Sequence, residues 1–303
     1  MTRVEERMTA LVGANGATLE RHGRETIAAG GKRLRPLLVC IAAGVPVVES
    51  EPLVRAAVAV ELVHAATLVH DDVIDGADLR RGRPTVVATG GRLMALATGD
   101  LLFSRAFAEL AAGGDIEPIR ILSAAACSLA EGELMQREDS WNVGVGKARY
   151  LERCRMKTGV LFRASCELGA LAGGGEVAAM GAFGERIGIA FQVLDDVLDV
   201  TGPPERTGKP RGADLLDGTV TLPLIEARER DQSLARLDLR AVRTAEQAGE
   251  LCDRIETSGA LETARERALL AVAEAKAGLP AGISPAQRAA LELVADGVVE
   301  RYS

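Results

Sequence analysis

The sequence predicts an all-α protein, built as a single large helical domain over residues 1–303. Three observations predict this fold class. Apolar residues recur at spacings of three and four along almost every long segment, and Ala and Leu, which favour helices, dominate these segments. Alternating, β-branched stretches typical of strands are short and poor. No repeat, low-complexity segment or proline-rich linker divides the chain into domains.

The helical segments follow one another along the chain, with Gly- and Pro-containing breakers between them. The segment 53–75 is rich in Ala, Leu and Val and ends in an acidic cluster. The other segments predicted to be helical are 92–111, 117–137, 147–171, 177–200, 221–230, 244–256, 259–277 and 284–301. These are nine segments, and the prediction for the whole chain is ten or more helices.

Composition excludes several functional classes. The chain has 36 basic and 43 acidic residues and a net charge of −7, which argues against a nucleic-acid-binding surface. Five scattered cysteines without a CxxC pair indicate neither a disulfide framework nor a zinc site, so a reducing cytoplasm is the expected location. The longest apolar stretch, residues 36–48, is too short to span a bilayer. We therefore expect no transmembrane segment.

Two acidic clusters of the same form each end an apolar helix. Residues 71–75 are Asp-Asp-Val-Ile-Asp, and residues 195–199 are Asp-Asp-Val-Leu-Asp. The first and last carboxylates of each cluster are spaced i,i+4, so they share one helix face and repel each other. Acid at a helix carboxyl terminus also opposes the helix dipole, which makes a purely solvated cluster costly. Oxygen ligands without His or Cys suit Mg²⁺, which combines one or two carboxylates with substrate phosphates and water. The candidate ligands are Asp71, Asp75, Asp195 and Asp199.

Basic clusters recur beside glycines. Residues 31–36 are Gly-Lys-Arg-Leu-Arg-Pro, residues 79–84 are Leu-Arg-Arg-Gly-Arg-Pro, and residues 208–212 are Gly-Lys-Pro-Arg-Gly. Arginine forks, lysine charges and backbone amides are the groups that bind diphosphates. One such cluster alone could equally be a solvated face. Together with two magnesium-type motifs, they predict two diphosphate sites, one bound through metal and one bound directly by cations.

These motifs resemble the trans-prenyl diphosphate synthases, the polyprenyl synthetase family, over nearly the whole chain, and in particular the long-chain bacterial members. The resemblance implies the isoprenoid synthase type of helical bundle, with a central cavity for the prenyl chain. The matching residues, in family order, are Gly31 to Pro36, Glu61 to His64, the first acidic motif with Arg80 to Gly82, Gly132 and Glu133 with Gln136, Lys157 and Thr158, Phe191 and Gln192 before the second acidic motif, and Gly208 and Lys209.

The resemblance also implies the reaction and the role of each matching residue. The expected activity is magnesium-dependent condensation of isopentenyl diphosphate with an allylic prenyl diphosphate, by a homodimer that binds three Mg²⁺ ions. Isopentenyl diphosphate is expected at Lys32, Arg35, His64 and Arg81, and the allylic diphosphate at Arg80, Lys157, Thr158, Gln192 and Lys209. Asp71 and Asp75 would hold two metal ions and Asp195 a third, with Asp72, Asp196 and Asp199 acting through waters or hydrogen bonds.

One departure from the family pattern concerns residues 218–221, Gly-Thr-Val-Thr, where many members have Gly-Lys-x-Thr. A cation is therefore missing, which puts one outer contact to the allylic diphosphate in doubt.

The length of the product depends on the residues that precede the first acidic motif. Short-chain members often carry an aromatic residue four or five positions before it, and this chain has Thr67 and Ala66 there. Ala59, Ala56 and the small residues at 123–128 continue this pattern. We expect an open tunnel and a long product of C30 to C50, which would be available for delivery to a membrane; a C15 or C20 product is the alternative within the family.

Two other functions compete with this interpretation. A class I terpene cyclase shares the helical fold, but it needs aromatic faces to guide cations, and this chain has only eight aromatic residues. A non-catalytic subunit of a heteromeric synthase would have lost one acidic motif or the basic pockets, and both are present here.

Overall fold

The computed structural model describes residues 1–13, 17–45, 50–80, 82–202 and 210–300. Nearly all regular secondary structure in these ranges is helical, which confirms the predicted all-α class. The chain forms two compact units. Unit 1 comprises Met1–Ala126, Leu161–Gly181 and Pro280–Arg288, and unit 2 comprises Cys127–Val160, Ala182–Leu279 and Ala289–Ser303. The single-domain organisation stays a prediction.

Unit 1 is built around one long apolar helix, α4 (Glu51–Asp75). This helix packs against the first three helices and against α5 (Val86–Ala111), and its small side chains at positions 56, 59 and 66 are almost fully buried. The helices that contribute to unit 1 are α1 (Thr2–Val12), α2 (Ala17–Ala28), α3 (Leu34–Ala43), α4 (Glu51–Asp75), α5 (Val86–Ala111), the first part of α6 (Glu117–Asp139) and α8 (Val160–Gly173), together with the first turns of two later helices at 177–181 and 285–288.

A short antiparallel hairpin lies between α4 and α5. It consists of β1 (Leu79–Arg80) and β2 (Arg83–Pro84), with Arg80 opposite Arg83. The sequence assigned this segment only as a break between helices. The hairpin returns the chain toward the acidic end of α4, where Arg80 of β1 pairs with Asp72.

Unit 2 contains the second acidic motif and a series of shorter helices. The elements that contribute to it, besides the second part of α6, are α7 (Lys147–Cys154), a π-helical turn (Arg155–Gly159), α9 (Val177–Thr201), α10 (Ala213–Leu216), α11 (Leu222–Arg230), α12 (Gln232–Ala235), a 3₁₀ turn (Leu239–Ala241), α13 (Ala245–Thr257), α14 (Ala260–Ala277) and α15 (Pro285–Glu300).

The predicted continuous helix over 147–171 is interrupted by the π-helical turn at 155–159. A π turn inserts a residue into the helical ladder and is frequent at functional sites. Side-chain periodicity over a single turn does not reveal such an insertion, so the sequence could not predict it.

Within the described residues, three helices are long and apolar enough to cross a membrane by length and composition alone: α4, α5 and α9. In α4, 67% of the most apolar 18-residue stretch is buried inside the protein, which accounts for its apolar character. The buried share of the corresponding stretch is 50% in α9 and 28% in α5. The expectation of no transmembrane segment considered only the shorter stretch at 36–48, and it stays a prediction.

Candidate active site

The first acidic motif occupies the last two turns of α4. Asp71 is half-buried, Asp75 is exposed and Asp72 is buried. Gly76 ends the helix in the left-handed region (φ 62°), which a residue without a Cβ adopts readily, and its N–H donates to the Asp72 carbonyl. The two outer carboxylates therefore lie one helical turn apart at an accessible helix end.

Arg80 is held beside this motif by Asp72. The Arg80 Nε donates to Asp72 Oδ1 at 2.7 Å, and the Asp72 carboxylate is nearly inaccessible to solvent. A buried carboxylate requires such a partner. Asp72 thus places the Arg80 guanidinium, predicted to contact the allylic diphosphate, next to the candidate metal ligands. Arg81 lies outside the described residues.

Three of the residues predicted to bind isopentenyl diphosphate lie on or directly before two packed helices of unit 1, α3 and α4. Lys32 is exposed in the turn before α3, and Arg35 lies in the first turn of α3. The Arg35 guanidinium sits 4.8 Å from the centre of the Phe162 ring, a cation–π contact that orients it. His64 is half-buried on α4, about 10 Å along the helix axis from Asp71.

The two positions predicted to set chain length differ in environment. Ala66 has no exposed surface and belongs to the core of unit 1. Thr67 is half-buried, and its hydroxyl donates to the His64 carbonyl at 2.8 Å. Thr67 therefore shares the partly accessible stripe of α4 that also carries His64 and Asp71.

The second acidic motif ends α9 in unit 2. Asp195 is exposed, and Asp199 is half-buried and accepts the Asp214 N–H at 3.3 Å. In the described part of the chain, no three His, Cys, Asp or Glu side chains group as a ready-made metal cage. Paired carboxylates without a full cage are the donor set of Mg²⁺ that is completed by water and phosphate. The residues of both motifs therefore fit this ion.

A buried hydrogen-bond chain connects the second motif to the π-helical turn. Asp196 accepts from the Tyr150 hydroxyl at 2.6 Å and from the Gln192 amide nitrogen at 2.8 Å. The Gln192 amide oxygen in turn accepts from the Thr158 hydroxyl at 2.7 Å. Burial, with a contribution from the charge of Asp214, raises the pKa of Asp196 to about 8 despite these hydrogen bonds. The network fixes the orientation of Gln192, with its carbonyl toward Thr158.

Tyr150 is a residue of this network that no sequence motif reveals. Its side chain is fully buried, and its hydroxyl donates a hydrogen bond to Asp196 within this network. A buried tyrosine generally finds a partner for its hydroxyl. That rule could have drawn attention to Tyr150, but it could not have identified the partner.

Lys157 lies in the π-helical turn and is held by two residues of α6. Its Nζ donates to Gln136 Oε1 at 2.9 Å and pairs with Glu133 Oε2 at 2.5 Å. Burial favours a higher pKa for Glu133, but the neighbouring Lys157 and Arg137 outweigh it and lower the pKa. A Cβ at Gly132 would come within 2.8 Å of Met156, so glycine permits this close approach. The matched Gly-Glu-x-x-Gln sequence therefore positions a cation.

The segment that lacks the family lysine is anchored by its neighbours in unit 2. The Gly218 carbonyl accepts the Trp141 N–H at 2.7 Å, and the indole ring packs against Gly218. The buried Arg153 guanidinium donates to the Val220 carbonyl. Thr219 supplies no charge, in agreement with the departure noted in the sequence. Lys209 lies outside the described residues.

Comparison with known proteins places this chain in a family. Residues 17–255 match the Polyprenyl synthetase family model. The chain is 42% identical to heptaprenyl diphosphate synthase component 2 of Geobacillus stearothermophilus over 230 residues, which covers 75% of this chain and 72% of the relative. It is 36% identical to the geranylgeranyl diphosphate synthase of Methanosarcina mazei over 294 residues, covering 93% and 90% of the two chains.

A solved structure agrees over the full length. The polyprenyl synthase of Caulobacter crescentus CB15, complexed with calcium and isoprenyl diphosphate, superposes with a TM-score of 0.92 at 36% identity. The match covers 100% of this chain and 95% of that one. Family-level similarity therefore extends across both units.

Proposed function

The chain belongs to the polyprenyl synthetase family and is a prenyltransferase acting on isoprenoid diphosphates, and from this premise we propose a specific reaction for it. It condenses isopentenyl diphosphate with an allylic prenyl diphosphate in a magnesium-dependent step and forms an all-trans polyprenyl diphosphate. The observation that carries this proposal is the pair Asp71 and Asp75, one turn apart at an accessible helix end, with the Arg80 guanidinium held alongside by Asp72.

The residues divide the chemistry between them. Three Mg²⁺ ions, when bound by Asp71, Asp75 and Asp195, would neutralise the charge that develops on the departing diphosphate. Arg80 and Lys157 stabilise the same charge by hydrogen bonds and Coulomb attraction. Lys32, Arg35 and His64 hold isopentenyl diphosphate so that its double bond lies beside the allylic carbon. Backbone carbonyls near Lys157 and Thr158, together with the Gln192 amide, would stabilise the developing carbocation, and the released diphosphate takes the proton that leaves.

Turnover by the purified chain tests this reaction. The protein is incubated alone with labelled isopentenyl diphosphate, an allylic primer and Mg²⁺, and the extracted product is analysed by mass spectrometry. We expect a linear prenyl diphosphate, and we expect EDTA to abolish its formation. An Asp71→Asn variant should lose several orders of magnitude in turnover while retaining its helical circular dichroism spectrum. A cyclic hydrocarbon would instead indicate a terpene cyclase.

A second candidate function has specific support. The relative that is 42% identical carries the name component 2, so it is one part of a synthase with more than one component. Under this alternative, the chain binds substrate but needs a partner for turnover. Product formed by the purified chain alone would exclude it, whereas product formed only after a partner is added would establish it.

The proposed product is long, C30 to C50. The partly accessible stripe of α4 carries a threonine at position 67, and no Phe, Tyr or Trp lies between His64 and Asp71 that could act as a floor. Relatives named heptaprenyl and geranylgeranyl synthase differ in product length, so their names support no single length. Wild-type protein that stops at C15 or C20 with excess isopentenyl diphosphate would contradict this proposal.

We also propose that the active form is a homodimer, with α5 at the interface. Only 28% of the most apolar 18-residue stretch of α5 is buried within its own chain, and Leu93 is 82% exposed. A long apolar helix face of this kind is stabilised when another protein surface covers it. A second copy of the chain is the proposed partner.

A further inference from the structure

Arg33 has an unusual backbone conformation. It lies at φ 48° and ψ 37°, and among the described residues only Trp141 is another non-glycine residue at positive φ. Side chains with a Cβ rarely adopt this left-handed region, and they persist there when surrounding contacts hold them. Arg33 is also the residue that immediately precedes α3, between Lys32 and Arg35. The strained position therefore lies inside the predicted diphosphate-binding motif.

The guanidinium of Arg33 is held by three different helices. Its Nε and Nη2 donate to the Glu5 carboxylate of α1 at 2.6 and 3.2 Å. Its Nη1 donates to Glu61 Oε1 of α4 at 2.8 Å, and Nη2 also donates to the Ile27 carbonyl of α2 at 2.7 Å. The Arg33 side chain is 15% exposed and that of Glu61 only 6%, so solvent screens this ion pair weakly.

The partner on α4 connects this contact to a second candidate substrate residue. Glu61 lies three residues before His64, so the two residues are neighbours on one helix face. The contact through Glu61 therefore ties the turn that carries Lys32 and Arg35 to the helix that carries His64. Neither Arg33 nor its two carboxylate partners takes a direct part in the proposed reaction.

We infer that Arg33 is a positioning residue: its guanidinium, clamped by Glu5 and Glu61, fixes the left-handed turn that places Lys32 and Arg35 relative to His64 for isopentenyl diphosphate. The inference rests on the proposed function. It explains why a non-glycine residue occupies a position that glycine would adopt with less strain. The side chain supplies contacts that glycine lacks, and these contacts hold the turn in place.

The Arg33→Gly variant separates the two contributions. Glycine keeps the left-handed backbone accessible and removes only the clamp. We expect the KM for isopentenyl diphosphate to rise by about tenfold or more, the loss typical of a charge-assisted hydrogen bond, while the KM for the allylic diphosphate stays within about twofold. Glu61→Gln, which weakens one arm of the clamp, should raise the same KM by a smaller factor and keeps the test valid should Arg33→Gly unfold.

Arg3→Gln is the matched control. Arg3 pairs with Glu51 at 3.2 Å, so it also joins α1 to α4, but both side chains are more than 40% exposed. We expect wild-type KM values for both substrates in this variant. An unchanged KM for isopentenyl diphosphate in Arg33→Gly and Glu61→Gln would overturn the inference, and so would an equal rise in both KM values.

A binding measurement distinguishes failure of the inference from failure of the proposed function. Inorganic diphosphate is titrated calorimetrically into wild type and Arg33→Gly in metal-free buffer, where the acidic motifs lack their ion. We expect affinity to fall by about tenfold or more in the variant, whether or not the wild type turns over. Equal affinities, or no binding by the wild type, overturn the clamp. Absence of prenyl product from a wild type that shows this difference overturns only the reaction.

Discussion

Some side chains of the two acidic motifs hold other polar side chains in place. Asp72 belongs to the acidic motif, yet it is buried and orients Arg80. Asp196 has the same position in the second motif and orients Gln192. The middle carboxylate of each motif therefore positions polar groups, while the outer carboxylates lie where a cation can reach them. The family resemblance already implied hydrogen-bonding roles for Asp72 and Asp196, and the structure identifies their partners as Arg80 and Gln192.

Tyr150→Phe tests the buried chain of hydrogen bonds in unit 2. The change removes the 2.6 Å donor to Asp196 and leaves Gln192 less firmly oriented toward Thr158. We expect kcat to fall by about tenfold, the KM for isopentenyl diphosphate to stay unchanged, and stability to fall by about 1–3 kcal/mol because a buried acceptor loses its partner. Steady-state kinetics and urea denaturation measure these effects.

Ser165→Ala is the control for the loss of a buried hydroxyl. Ser165 donates only to the Leu161 carbonyl in its own helix at 2.7 Å. Its removal should leave kcat unchanged. If Tyr150→Phe also retains the wild-type kcat, the network has a structural role only.

Thr67→Phe and Ala66→Phe together test how chain length is set. The Thr67 side chain is partly accessible beside His64, so a phenyl ring there can enter the path of the growing chain. We expect this variant to shift the main product from C30–C50 to C15–C20 and to retain the first condensation. Product lengths are measured by mass spectrometry.

The neighbouring substitution has a second expected effect. Ala66 has no exposed surface, so a phenyl group must first be accommodated in the core, at a cost of about 1–3 kcal/mol. We expect Ala66→Phe to shorten the product as well, but with a lower midpoint of thermal unfolding. A long product from both variants would contradict a floor near these positions.

Two helices in unit 1, α3 and α8, approach each other closely because glycine lies at their contact. A Cβ at Gly169 of α8 would meet the carbonyl oxygen of Val39 in α3, and one at Gly173 would meet that of Ala43. Backbone atoms cannot move aside as the end of a flexible side chain can. The α3–α8 contact therefore depends on the absence of side chains, and α3 is the helix that carries Arg35.

Gly169→Ala should consequently destabilise the protein. We expect a loss of about 1–3 kcal/mol in the free energy of unfolding, because α8 must move away from α3. Gly249→Ala is the control, since Gly249 is helical and has no neighbouring atom within 4 Å of an added Cβ. That variant should gain about 0.5–1 kcal/mol from helix propensity. Denaturant titration monitored by circular dichroism compares the two, and equal effects would contradict the close approach.

The chain as a whole combines a net charge of −7 with one long apolar helix that its own fold covers poorly. Its similarity to a solved polyprenyl synthase extends over its full length, so family membership is a property of both units. The exposed face of α5 is the surface at which we propose that two copies of the chain associate.

Leu93→Glu tests that assembly. A charge at a residue that is 82% exposed costs little in a monomer but is unfavourable when a second apolar surface covers it. We expect wild-type protein to sediment as a dimer and the variant to sediment as a monomer with unchanged helical circular dichroism. A wild type that is monomeric alone and assembles only with another protein would favour the heteromeric alternative.

Much of the fold and part of the site could be predicted from local spacing. The spacing of apolar residues predicted the helices, and the acidic clusters with i,i+4 carboxylates were predicted at helix ends. Both predictions succeed because they depend on residues within one or two helical turns. The unpredicted features join distant parts of the chain. Tyr150 and Asp196, which are hydrogen-bonded, are 46 residues apart in the sequence, and Arg33 and Glu61 are 28 residues apart.

Local sequence thus determined which residues are helical and which carry charge, since helix formation and like-charge repulsion act between near neighbours. Packing decided how those charges are used. The π-helical turn at Lys157, the left-handed Arg33 and the inward position of Asp72 each depend on a partner that another element supplies. A buried polar group must be satisfied, but its partner is chosen by which helices come into contact. That choice is made by the tertiary fold, because it depends on distances between elements rather than on spacing along the chain.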